Sequence, residues 1–241
     1  MYDTIKIYGD SHSNPVDCRC DEGQMHWHIV SKMIPHLTLK TQYRAGKSIP
    51  EICIESSIDM LNYRGRCLFL LALGPLHRIP MYQDGRYDKE TIRPIDASSG
   101  NPTDQSACDQ FFDITTPKDT PKKFMGLYHP TLNASRTLQC LSGVLSIADK
   151  TKHDVVIYNM SKPWKDCGFD KSHPLVSTLW KEVFSYKYMS DMDHSAQAIC
   201  TEKNIRAWDH EIYGVHGHMD HEGQAAWAEA LAEILRHKGI I

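Results

Sequence analysis

The chain lacks any apolar stretch of bilayer-spanning length: its longest uninterrupted apolar run is Cys67–Leu73, whereas a membrane helix needs about 20 residues. No secretory leader is expected either, since Met1-Tyr-Asp-Thr carries neither a basic region nor an apolar core. Both absences lead to the expectation of a cytoplasmic protein with no transmembrane segment. Charge of one sign is equally scarce. With 27 Lys and Arg against 30 Asp and Glu, the formal net charge is -3, which gives no global electrostatic reason to expect nucleic acid or an anionic membrane as partner. There is no internal repeat and no heptad run. Eight cysteines are present, and in a reducing compartment they read as thiols rather than as a disulfide framework.

What the chain does have is alternation. Strand-like runs at Ile5 to Tyr8, Leu37 to Tyr43, Cys67 to Leu73 and Val155 to Tyr158 are separated by helical patterns. These patterns lie near His26 to Ile34, from Pro50 with Ile54, Ile58 and Leu61 on one face, around Ser135 to Ala148, and near Leu175 to Phe184. This order predicts an α/β fold with a central parallel sheet covered by helices on both faces, and ligands at the carboxyl ends of the strands. At 241 residues one domain is expected. Between about residues 75 and 133 the pattern weakens into Asp, Gly, Pro, Ser and Thr, and a structureless loop of that length reads as an insertion or a lid. Its aromatics, including Tyr82, Tyr87, Phe111, Phe112 and Tyr128, suit either a substrate cover or a small core of the insertion itself.

The most informative stretch is Thr4-Ile-Lys-Ile-Tyr-Gly9-Asp10-Ser11-His12-Ser13, a short strand that ends at a glycine and presents a serine at the turn. Such a serine either caps a helix or is exposed as a nucleophile, and a nucleophilic hydroxyl needs a base to take its proton. A histidine in reach comes from the other end of the chain. His218-Met-Asp220-His221-Glu-Gly223 leads into a helix in which Trp227, Leu231, Ile234 and Leu235 recur at helical spacing, with Gly239 suited to its end.

Gly9-Asp10-Ser11 after the first strand, together with His218 five residues ahead of Gly223 at the last helix, resembles the GDSL/SGNH hydrolase family. That resemblance implies a three-layer α/β/α flavodoxin-like domain over residues 1-241 and a serine-dependent esterase activity without a cofactor. Its substrate would be a small-molecule, carbohydrate or lipid ester. It also implies Ser11 as nucleophile, His218 as base, and an oxyanion hole built from the backbone N–H of Ser11 and Gly46. The third family block reads Gly74-Pro75-Leu76-His77, so the usual asparagine donor is missing, and the adjacent donors His77 and Arg78 are the candidates to replace it. The family's aspartate three residues before the histidine is here Val215. Asp209, Asp220, a backbone carbonyl or a bare Ser–His dyad remain as solutions.

Three other readings compete. His216, His218, Asp220 and His221 resemble a metallo-β-lactamase motif and would make a metal-dependent hydrolase, although few residues come after them to complete a ligand set. Cys18 and Cys20 with His26 and His28 form a looser constellation, most simply free thiols and histidines. With two family blocks altered, a catalytically degenerate ligand-binding module of the same fold also stays open.

Overall fold

The computed structural model describes residues 2–34, 37–43, 47–76, 78–81, 93–96, 129–209 and 217–241. Four strands form the main sheet: β1 Thr4–Gly9, β2 Thr38–Tyr43, β3 Cys67–Leu73 and, after the two intervening strands β4 Arg78–Met81 and β5 Arg93–Asp96, β6 Asp154–Asn159. They are parallel throughout and lie in the order β2-β1-β3-β6. A single parallel bridge between Ile157 and Met189 extends the sheet beyond β6. The chain leaves β1 for β2 on one side and returns for β3 on the other, which opens a crevice at the carboxyl end of β1, where such sheets bind ligands. Ser11 lies just beyond that end.

Strand periodicity divides the core in two. Phe69, Leu71 and Leu73 of β3 face one side, with Tyr8, Val155 and Ile157, under α2 Ile49–Asn62, α3 Pro130–Thr151 and α4 Pro174–Ser185. Leu68, Leu70 and Ala72 face the other side, with Ile5, Ile7, Val156 and Tyr158. That face lies under α1 His26–Ser31, α5 Ala196–Glu202 and α6 His221–His237. The expected three-layer α/β/α architecture is therefore present. β3 is buried along its whole length while β2, at the edge, alternates between exposed and half-buried residues, as a central and an edge strand should.

Helix α2 differs from its sequence reading in which face is buried. Ile54, Ile58 and Leu61 do share a face, but Ile58 and Leu61 are exposed, at 47% and 62%. The core takes Ile49, Ile52, Cys53, Ser56 and Met60 instead, an equally good helical spacing that faces the sheet. Its start is set by Ser48 and Glu51, whose side chain accepts from the Ser48 N–H at 2.8 Å in a capping box. The final helix is equally well delimited. Asp220 caps its start, and Gly239, at φ 67°, ends it as the Gly239 N–H donates to Arg236 O and the Ile240 N–H to Leu235 O, a Schellman arrangement. Trp227, Leu231 and Leu235 are buried as their spacing predicts.

Within the 75–133 segment, β4 Arg78–Met81 and β5 Arg93–Asp96 pair antiparallel. Tyr82, Tyr87, Phe111, Phe112 and Tyr128 lie outside the described residues. Among the described residues no helix is long and apolar enough to cross a membrane, and the seven of the eight cysteines that lie among them are free thiols.

Candidate active site

Glycine is what makes the turn after β1 possible. A Cβ on Gly9 would lie 2.4 Å from Ser13 Oγ and 2.5 Å from Ser13 Cβ, so only glycine lets the chain fold back there. Asp10 then caps the short 3-10 turn Ser11–Ser13, its carboxylate accepting the His12 N–H at 3.0 Å. The capping role that sequence reading allowed for Ser11 thus belongs to Asp10. Ser11 begins the turn and is 5% exposed.

His218 arrives from the other end of the chain and meets the same turn: its ring centroid is 5.0 Å from that of His12. His218 Nδ1 lies 2.5 Å from Asp209 Oδ2, and the His218 backbone N–H donates to Asp209 Oδ1 at 2.6 Å. One carboxylate therefore holds both the imidazole and its backbone. Of the acids the sequence left open, Asp209 is the one in place. Asp220 is spent on the helix start, accepting from the N–H of Glu222 and Gly223.

Asp209 is 3% exposed and is itself anchored through its neighbour. The Trp208 N–H donates to His218 O at 3.1 Å, its indole N–H donates to Asp17 O at 3.0 Å, and the Arg19 guanidinium lies 3.6 Å above its ring, a cation–π stack. The acid-bearing loop is thereby fastened to the loop after the Ser11 turn. Gly223 serves the same junction from the helix side. A Cβ there would sit 2.6 Å from Met219 Cβ, so glycine lets the helix start pass close to the residue next to His218.

The electrostatics of the pair are mixed. Burial pushes His218 below the ordinary imidazole range, His12 pushes it further, and the Asp209 hydrogen bond and charge oppose both. Burial also raises Asp17, with the nearby His218 opposing the shift. His12 Nδ1 lies 3.1 Å from the buried Asp10 carboxylate, a second Asp–His pair beside the first. An imidazole with a carboxylate on Nδ1 is fixed in the tautomer whose Nε2 accepts a proton, and a neutral, oriented base is the condition for general base catalysis.

Gly46, His77 and His216 lie outside the described residues. Just before His77, the Leu76 carbonyl accepts a hydrogen bond from the buried Asn133 side chain at the start of α3. Among the described residues no group of three His, Cys, Asp or Glu side chains converges to hold a metal ion. Of the ligands in the competing metal reading, His218 is paired with Asp209 and Asp220 caps α6. Both ring nitrogens of His26 are engaged, Nδ1 with Gln224 Oε1 at 2.7 Å and Nε2 with Tyr158 OH at 3.0 Å. Cys18 Sγ points to the carbonyls of Ser11 and His12, and burial raises the Cys20 thiol to about 11.

Sequence reasoning weighed Asp209 without choosing it and missed His12, Trp208 and Gln224. The available signal for the acid was negative: an Asp immediately before a helical pattern, such as Asp220, is a cap.

No family model matches the chain, and no curated protein matches it. Solved structures do. The psychrotrophic esterase EstA from Pseudoalteromonas sp., solved inhibited by monoethylphosphonate, is similar at TM-score 0.50 and 8% identity over 98% of this chain and 97% of its own. The acetyl xylan esterase AlAXEase is similar at TM-score 0.50 and 12% identity over 95% and 98%. A lipolytic protein of the G-D-S-L family from Veillonella parvula is similar over 97% and 98% at TM-score 0.43 and 10% identity. The first two show that the chain shares the fold of these esterases.

Proposed function

We propose that the chain is a divergent GDSL/SGNH hydrolase that cleaves carboxylic esters, with Ser11 as nucleophile, His218 as general base and Asp209 as the acid that orients it. The observation that carries this reading is the Asp209–His218 pair at 2.5 Å, held beside a glycine-enabled turn that starts with Ser11 at the carboxyl end of β1. The esterase fold supports it at a coarser level.

In this mechanism Ser11 Oγ attacks the ester carbonyl while its proton passes to His218 Nε2. The resulting imidazolium is stabilised by Asp209. Collapse of the tetrahedral intermediate breaks the bond to the alcohol oxygen, which takes the proton back from His218. Water, deprotonated by the same imidazole, then attacks the acyl-enzyme, and the second tetrahedral intermediate breaks its bond to Ser11 Oγ, which takes the proton back from His218 as the acid leaves. The backbone N–H of Ser11 and of Gly46, with His77, are assigned to the oxyanion, where loss of one such donor costs about 3 to 4 kcal/mol of transition-state stabilisation. The substrate is a small-molecule, carbohydrate or lipid ester, the chemistry needs no cofactor, and nucleic acid is not among the partners.

The test is hydrolysis of p-nitrophenyl esters from acetate to palmitate, and of acetylated xylan, by the wild type, Ser11→Ala, His218→Ala and Asp209→Asn proteins, with and without EDTA. Activity that is insensitive to EDTA and collapses in the Ser11 and His218 variants supports the reading. Folded wild type without activity on any acyl chain length, or activity that survives Ser11→Ala, rejects it.

A further inference from the structure

The side chain of Gln224, 1% exposed, is unusual in a helix that otherwise buries apolar residues. Its amide lies where the two ends of the site meet. The backbone N–H of His26 donates to Gln224 Oε1 at 3.3 Å, which fixes the orientation of the amide, because a backbone N–H can only meet the oxygen. His26 Nδ1, 2.7 Å from that same oxygen, must then carry the ring proton. The lone pair of His26 Nε2 accepts from Tyr158 OH at 3.0 Å. The amide nitrogen points the other way, donating to His12 O at 3.2 Å and to Met219 O at 3.4 Å, with Cys18 Sγ also at 3.4 Å.

The two carbonyls belong to the residues immediately after Ser11 and immediately after His218. We propose that Gln224 is a positioning residue for catalysis, a buried amide that clasps the backbone of the Ser11 turn to the backbone beside His218 and is itself held by the His26–Tyr158 relay. The proposal rests on the hydrolase reading. It concerns backbone: the Gln224 amide bonds the carbonyls of His12 and Met219 and acts by setting the distance between the segments that carry the reacting side chains. Such distances matter steeply, since a misplacement of about 1 Å between reacting groups can cost roughly a hundredfold in rate.

The groups that face this amide do not titrate with it near neutral pH. Burial keeps His26 neutral by lowering it to about 4 and raises Tyr158 and Cys18. The His12 ring is turned to Asp10, and the Asp220 carboxylate to the helix start. That isolation supplies a distinguishing variant. Gln224→Glu keeps the acceptor toward His26, but donates to His12 O and Met219 O only when its carboxyl is protonated.

The experiment measures kcat and KM on p-nitrophenyl acetate, and the rate of Ser11 labelling by a fluorophosphonate, from pH 4.5 to 8. The proteins are wild type, Gln224→Met and Gln224→Glu, each checked for retained fold by circular dichroism. Gln224→Met should lose on the order of a hundredfold in kcat and in labelling rate. Gln224→Glu should add a descending limb to the pH profile where wild type stays level. A purely structural Gln224 would lower thermal stability while leaving the labelling rate within about threefold of wild type and the profile unchanged in shape, and that result overturns the clasp. If wild type neither labels nor turns over, the hydrolase reading fails and the clasp with it.

Discussion

His26 couples the stability of the site to pH in a way that can be isolated. Complete burial lowers its folded-state pKa from the ordinary 6.5 to about 4, opposed only by the Gln224 hydrogen bond. Between those values the unfolded chain holds a proton on residue 26 that the folded chain does not. Stability therefore rises with pH through this window, is fully present above about pH 6.5 and is lost as pH falls toward 4. The gap between 6.5 and about 4 corresponds to roughly 3 kcal/mol, undiminished by solvent screening because the ring is wholly buried. Carboxylates and His218 add their own pH dependence, so wild type is set against His26→Asn, whose amide can still donate to Gln224 and cannot titrate. At pH 7 the variant should be less stable by about 1 to 3 kcal/mol, the cost of leaving Tyr158 OH without its acceptor. By pH 4 that gap should have closed or reversed. Urea unfolding monitored by tryptophan fluorescence at half-unit steps from pH 7 to 4 measures it. Curves that stay parallel across the range would refute both the neutral tautomer and the relay built on it.

Other predictions concern the site directly. Asp209→Asn should lower kcat by on the order of 10^4, as loss of the tautomer-fixing carboxylate does in a Ser–His–Asp site, with KM for p-nitrophenyl acetate changing far less; stopped-flow acylation checks this. Because His218 must be neutral to act and lies below the ordinary imidazole range, the acid limb of kcat/KM should fall below pH 6.5, activity rising with pH. His12→Asn should move that limb upward, since His12 is one of the groups that lower His218; a limb unmoved by this change would remove His12 from the site's electrostatics. Gly223→Ala places a Cβ 2.6 Å from Met219 Cβ, which the chain relieves only by shifting the segment next to His218. It should cost about 1 to 3 kcal/mol of stability and a larger share of activity, read by thermal unfolding and ester hydrolysis on the same preparation.

Much of the fold was legible because its signals are local. The apolar run Cys67–Leu73 could only be a strand buried on both faces, and the alternation of strand and helix patterns is enough to specify a parallel sheet. Helix faces were less legible: α2 offers two apolar stripes, and only the position of the sheet decides that Ile52 and Met60 go inward while Ile58 and Leu61 do not. In the site, Ser11 and His218 stood out because each sits near a glycine, Gly9 or Gly223, that a tight backbone approach requires. Asp209 was hidden by its spacing, nine residues before His218, with no periodicity to say that the chain between them brings the two back together. Gln224 was hidden for the opposite reason: a polar residue at the start of an amphipathic helix reads as surface, and its burial is due to a turn more than 200 residues away in sequence.

The most direct measurement is intact-protein mass spectrometry after exposure to a fluorophosphonate, then peptide mapping of the adduct, with Ser11→Ala and His218→Ala treated alongside. The account predicts one adduct per chain, mapped to Ser11, absent from Ser11→Ala and strongly slowed in His218→Ala. Folded wild type that takes up no adduct, or one that carries it on another residue, contradicts the claim that the Asp209–His218 pair activates Ser11.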